Sequence, residues 1–144
     1  MVKSKVFLDT SVLITALLSS RGGSFYILTQ FKDKFCFQIN NYVLEEILEV
    51  LTKKFSSRKE LKSNLFFLLG LTKIEILSNP AKFSLKSLSK VINQKDAPIL
   101  ASSLKNSNYL LTLDKDFLNE KIRSFAKENN LLIFTPKEFI KYFC

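Results

Sequence analysis

The chain reads as an α/β fold with a central, mainly parallel sheet of about five strands, and three observations lead there. Short β-favouring apolar runs alternate with longer amphipathic stretches from one end to the other, the order that produces strand–helix–strand units. The first run, Val6-Phe7-Leu8, is apolar at successive positions, as in a strand covered on both faces. With only 3 Gly and 3 Pro in 144 residues, there is little material for a linker, so residues 1–144 are expected to form a single domain.

Taken in order, Val6-Phe7-Leu8 is the first strand, and Thr10-Ser11 is expected to cap a helix through Val12, Leu13, Ala16 and Leu17. Gly22-Gly23-Ser24 interrupts it and opens a second helix carrying Phe25, Ile27, Leu28 and Phe31. Phe35 to Ile39 is the second strand, after which Asn40-Asn41 caps a long amphipathic helix from about Tyr42 to Phe55. A further helix is expected from about Arg58 to Leu71, then a short strand, Ile74 to Leu77, and a turn at Asn79-Pro80. Lys82, Lys86 and Lys90 follow at four-residue spacing and share one face if this stretch is helical. Asp96-Ala97-Pro98 opens a helix to about Lys105, since proline suits a first helical turn. Tyr109 to Leu113 is a strand ending at Asp114, and one helix is expected from Asp116 to about Asn129. Leu131 to Phe134 is the last strand, and Pro136 begins a terminal helix.

Composition narrows the chemistry. The chain has no histidine, which removes Ser-His-Asp and Cys-His catalysis and His-ligated zinc together. Acids are scarce, 13 against 22 Lys+Arg, for a net charge of +9. Such a surplus attracts polyanions, nucleic acid among them. Lys outnumbers Arg 19 to 3, which favours general phosphate attraction over base-specific Arg contacts. Cys36 and Cys144 make no disulfide framework and suit a reducing cytosol. No apolar run approaches the roughly 18 residues of a membrane span, so a soluble cytoplasmic protein is expected.

In a chain so short of acids, those beside apolar elements stand out. Asp9 and Asp114 each follow a strand, where ligands of a parallel sheet gather; each is equally a favoured helix cap. Asp96 is another carboxylate at a helix start. On the long helix, at about 100° per residue, Val43, Leu44, Ile47, Leu48, Val50, Leu51 and Phe55 fill one arc. Glu45 and Glu49 point away from that arc, while Glu46 stands on its border, either turned to a strand end or paired with Lys53 or Lys54. Asp116 is given an outer role, as ligand to a second metal or as a cap for the helix of Phe117 and Leu118. Ser11 and Thr112 sit beside the acids as possible hydrogen-bond partners. Carboxylates packed together raise one another's pKa unless a hard divalent cation resolves the repulsion. Such a cation, in a basic protein, points to phosphodiester hydrolysis. Two lysine-rich groups could hold a polyanion: Lys53, Lys54, Arg58, Lys59 and Lys62, and separately Lys82, Lys86, Lys90 and Lys95.

Four segments, in this order and spacing, resemble the PIN domain family. They are Val6-Phe-Leu-Asp9-Thr-Ser-Val-Leu13, Leu44 to Leu51 around Glu46, Lys95-Asp96-Ala-Pro-Ile-Leu-Ala101, and Tyr109-Leu-Leu-Thr-Leu-Asp114-Lys-Asp116-Phe117. The likeness is strongest to the VapC-like toxins of bacterial toxin–antitoxin systems, and Ile133 to Phe139 is similar to that group's last strand and helix. The resemblance implies a three-layer α/β/α sandwich. It makes Asp9, Glu46, Asp96 and Asp114 an acidic quartet for Mg²⁺ or Mn²⁺, with Asp116 a further acid and Thr112 the hydroxyl before the last motif. Ser11 stands where the family often has Asn, and Leu113 where a small or polar residue is common. The same likeness implies a single-stranded or structured RNA substrate, a homodimer and an antitoxin that blocks the site. The leading expectation is therefore a metal-dependent endoribonuclease. A non-catalytic PIN-like module that binds RNA or protein is the competing reading. A phosphoacceptor receiver domain ranks last, because Asp9 stands alone after its strand and the third strand ends in Leu77-Ser78-Asn79.

Overall fold

The computed structural model describes residues 2–144. Its sheet has five strands in the order β3-β2-β1-β4-β5: β1 Ser4–Leu8, β2 Phe35–Asn40, β3 Glu75–Leu77, β4 Tyr109–Leu111 and β5 Leu132–Phe134. All four pairings are parallel. The central strand shows why: Val6, Phe7 and Leu8 each have no exposed surface, so helices cover both faces, as a parallel sheet requires.

The chain runs outward from β1 to β2 and β3, then returns to lay β4 on the opposite side of β1. That reversal places a crevice at the carboxyl ends of β1 and β4, where Leu8 is in register with Leu111 and the Asp9 N–H donates to the Leu111 carbonyl at 3.0 Å.

Helices α1 (Thr10–Leu18) and α2 (Gly23–Gln30) lead to β2, and α3 (Asn41–Lys54) and α4 (Glu60–Leu71) lead to β3. Asn40 caps α3 as expected, accepting from the Val43 N–H at 2.9 Å. Fully buried, its amide also donates to Ser102 Oγ at 2.8 Å and to the Pro98 carbonyl at 3.1 Å. One asparagine thus fixes the start of α3 against α6 (Ala97–Asn106), and with it the relative placement of Glu46 and Asp96.

Opposite the crevice, Phe35 and Tyr109 open β2 and β4 against α9 (Pro136–Phe143). Phe139 of α9 is fully buried, with ring centroids of Phe31, Phe35, Phe134 and Phe143 4.7–6.0 Å away. Mutual edge and tilted packing of this kind adds to plain apolar burial.

Four local expectations are corrected. Thr10 and Ser11 do not cap α1: Asp9 holds the cap position, without a side-chain cap bond, because both hydroxyls turn to carboxylates instead. The fourth strand stops at Leu111 rather than Leu113, since the Leu113 N–H donates to Ser11 Oγ and not to a neighbouring strand. The stretch from Asp116 to Asn129 is two helices, α7 (Lys115–Leu118) and α8 (Glu120–Glu128), because the Asn119 side chain caps the second. Lys90 falls outside the helix that carries Lys82 and Lys86, as α5 (Lys82–Ser87) ends in tight turns at Leu88 and Ser89.

Candidate metal centre

Asp96, Asp114 and Asp116 each present a carboxylate oxygen within 4.8 Å of the others. Asp96 sits at the start of α6, 4% exposed, and makes no side-chain cap bond with that helix. Asp114 is the cap of α7, accepting from the Asp116 N–H at 2.9 Å. Asp116, not the cap itself, belongs to the first turn of that helix. Two consecutive roles of one tight turn thus aim both acids at Asp96.

Asp9 is linked to the backbone of this group through one hydroxyl. The Thr112 hydroxyl donates to Asp9 Oδ2 at 2.7 Å and accepts from the Asp114 N–H at 2.9 Å. The Ser11 hydroxyl donates to the same Asp9 oxygen at 2.8 Å. Glu46 lies on the half-buried border of α3, between exposed Glu45 and Glu49, and accepts from the Thr10 hydroxyl. It is not paired with a lysine; Lys53 bonds Glu49 instead, at 2.7 Å.

Sequence reasoning missed two members of the arrangement. Asn93 donates its amide to Asp96 Oδ2 at 2.7 Å and to Asp116 Oδ2 at 3.3 Å, and its Oδ1 accepts from the Asp96 N–H at 2.9 Å. A local signal existed, an Asn three residues before a helix-opening Asp, which is a capping pattern. Thr10, 6% exposed, had been assigned to a cap; nothing in its own segment pointed to Glu46.

The electrostatics are unbalanced. Burial raises Asp96 to about 6, Asn93 opposing and Asp114, Asp9 and Asp116 adding to the rise. Burial also raises Asp9, against the pull of the Thr112 and Ser11 hydroxyls. Among the described residues no lysine or arginine pairs with any of these acids; the ion pairs lie elsewhere. An all-oxygen, all-carboxylate donor set without a cationic partner fits a hard divalent ion such as Mg²⁺ or Mn²⁺.

No protein-family model matches the chain, and no curated protein is similar enough to be matched by sequence. Solved structures do match. VapBC2 from Rickettsia felis, in a crystal structure bound to a DNA fragment from its promoter, superposes with a TM-score of 0.67 at 21% identity, covering 91% of this chain and 98% of that one. PAE2754 from Pyrobaculum aerophilum superposes with a TM-score of 0.65 at 14% identity, covering 96% and 88%. At such identities the likeness is one of fold. The five-stranded parallel sheet, its strand order and these neighbours together give the chain the fold of a VapC-like PIN domain.

Proposed function

We propose that this protein is a metal-dependent endoribonuclease that hydrolyses RNA phosphodiester bonds, acting as the toxin of a VapC-like toxin–antitoxin pair. One observation carries the reading: three carboxylates lie close enough for one cation and, among the described residues, have no cationic side chain paired to them, in a chain of net charge +9.

In this reading Asp9, Asp96, Asp114 and Asp116 hold Mg²⁺ or Mn²⁺, which when bound would polarise a phosphate and lower the pKa of water. Glu46 completes the acidic set and orients the attacking water, its carboxylate steadied by the Thr10 hydroxyl. Ser11 and Thr112 lock the Asp9 carboxylate from two sides, the kind of outer support that holds ligands in register. The same resemblance supplies the remaining proposals, a homodimer in the cytoplasm with a cognate antitoxin over the site. No single helix among the described residues is long and apolar enough to cross a membrane.

The test is incubation of purified protein with RNA in Mn²⁺ or Mg²⁺, with and without EDTA. Cleavage that EDTA stops, and that Asp9→Asn abolishes while circular dichroism stays unchanged, is the expected result. A folded Asp9→Asn variant that cuts at the parent rate would refute the assignment. Absence of both cleavage and a saturable metal site in the parent would favour a non-catalytic binding module.

A further inference from the structure

The hydrogen bonds that hold the five candidate acids fall, among the described residues, on one oxygen of each. Asp9 Oδ2 accepts from the Ser11 and Thr112 hydroxyls. Glu46 Oε1 accepts from the Thr10 hydroxyl, and Asp114 Oδ1 from the Asp116 N–H. Asp96 Oδ2 and Asp116 Oδ2 share the Asn93 amide. The second oxygen of each acid is left for a ligand.

A carboxylate oxygen has room for about two such partners, so Asp9 Oδ2, with two hydroxyls on it, is filled. Asn93 fixes its own orientation: its Oδ1 accepts from the Asp96 N–H at 2.9 Å, which turns the NH₂ end towards both acids. All of these donors are neutral, being hydroxyls, one side-chain amide and one backbone N–H. They occupy oxygens without cancelling the negative charge that draws a cation. A lysine in their place would neutralise that charge as well.

Ligation through one oxygen per carboxylate separates the hard cations. Ca²⁺ takes about six to eight oxygens in a flexible shell, often both oxygens of one carboxylate, whereas Mg²⁺ demands a near-ideal octahedron with shorter bonds. Loosely held carboxylates can turn to chelate the larger ion; carboxylates with one oxygen already engaged resist that turn. Partners of this outer kind are known to govern metal affinity nearly as strongly as the ligands themselves.

We propose that Thr10, Ser11, Asn93 and Thr112 are positioning residues that restrict the acids to one-oxygen ligation, and so set the centre's preference for Mg²⁺ or Mn²⁺ over Ca²⁺. The inference rests on the nuclease reading for the presence of a cation, but its test reads ion binding and no cleavage. Electron paramagnetic resonance of free Mn²⁺, recorded while Mg²⁺ or Ca²⁺ is titrated into the Mn²⁺-loaded protein, gives the two competition constants. The parent should yield its Mn²⁺ to Mg²⁺ at lower concentration than to Ca²⁺. Asn93 is exposed, so Asn93→Ala removes the amide and leaves the core intact. In that variant Mg²⁺ affinity should fall roughly 10- to 100-fold while Ca²⁺ affinity holds or rises, so the preference is lost. Thr112→Val should act in the same direction, and Thr112→Ser, which keeps the hydroxyl, should retain the parent's preference; circular dichroism checks the fold of each. A merely structural role would lower both affinities by the same factor. That result in folded Asn93→Ala, or a parent that yields Mn²⁺ to Ca²⁺ as readily as to Mg²⁺, overturns the inference. A parent that binds no divalent ion overturns it together with the nuclease reading. A preference that shifts as expected in a protein that never cleaves RNA supports the inference and overturns the nuclease alone; cleavage with an unshifted preference does the reverse.

Discussion

Asp96→Asn should make the metal-free protein more stable, and the gain should depend on pH in a calculable way. Asp96 is 4% exposed, and its acidity is shifted from 3.8 to about 6. A carboxyl whose pKa is higher in the folded chain than in the unfolded one favours folding while protonated. That advantage is present below the unfolded pKa and lost as pH rises through the folded one. The roughly two-unit shift, at 1.36 kcal/mol per unit, makes ionised Asp96 cost about 3 kcal/mol near pH 7.5. By the same linkage the cost falls to about 1 kcal/mol near pH 4.5. Asparagine keeps the volume and can still accept from the Asn93 amide that now bonds Asp96 Oδ2, so it removes the charge and little else. In EDTA, urea unfolding should show the variant about 3 kcal/mol more stable near pH 7.5, or roughly 10 °C higher in Tm for a domain of this size. The difference should shrink towards 1 kcal/mol near pH 4.5. Saturating Mn²⁺ should close the gap by stabilising the parent. A variant no more stable than the parent near pH 7.5, or one whose gain is the same at both pH values, would refute the electrostatic reasoning.

Two further outcomes are expected. Asn93→Ala removes the amide shared by Asp96 and Asp116; Mn²⁺ affinity read by calorimetry should fall roughly 10- to 100-fold, as for other outer-shell partners, and unchanged affinity would show that the bridge does not organise the site. Phe139→Ala empties the centre of the aromatic cluster under α9 and should cost about 3–5 kcal/mol in denaturant unfolding, with a loss under 1 kcal/mol counting against that cluster as a main source of stability.

What the amino-acid order determined by itself is whatever depends on one element at a time. Successive buried positions in Val6-Phe7-Leu8 declared a two-faced strand. Strand–helix alternation declared the parallel sheet, and therefore that Asp9 follows a strand directly and Asp114 lies in the loop beyond one. Helical phase separated Glu46 from Glu45 and Glu49. Periodicity records which side of an element faces inward, but not what another element sets opposite it. For that reason the partnership of Thr10 with Glu46, 36 positions apart, and of Thr112 with Asp9, 103 apart, came only from the folded chain. Tertiary structure likewise decided that Asp116 stands in the tightest acidic group, while Asp9 reaches it through a hydroxyl. It also decided how the two basic runs differ: Lys82, Lys86 and Lys95 line grooves that Asn93 lines too, while in the other run Lys53 and Arg58 are paired with Glu49 and Glu60. Distances between side chains far apart in sequence are set by packing across the crevice at the sheet's reversal, and no local pattern encodes them.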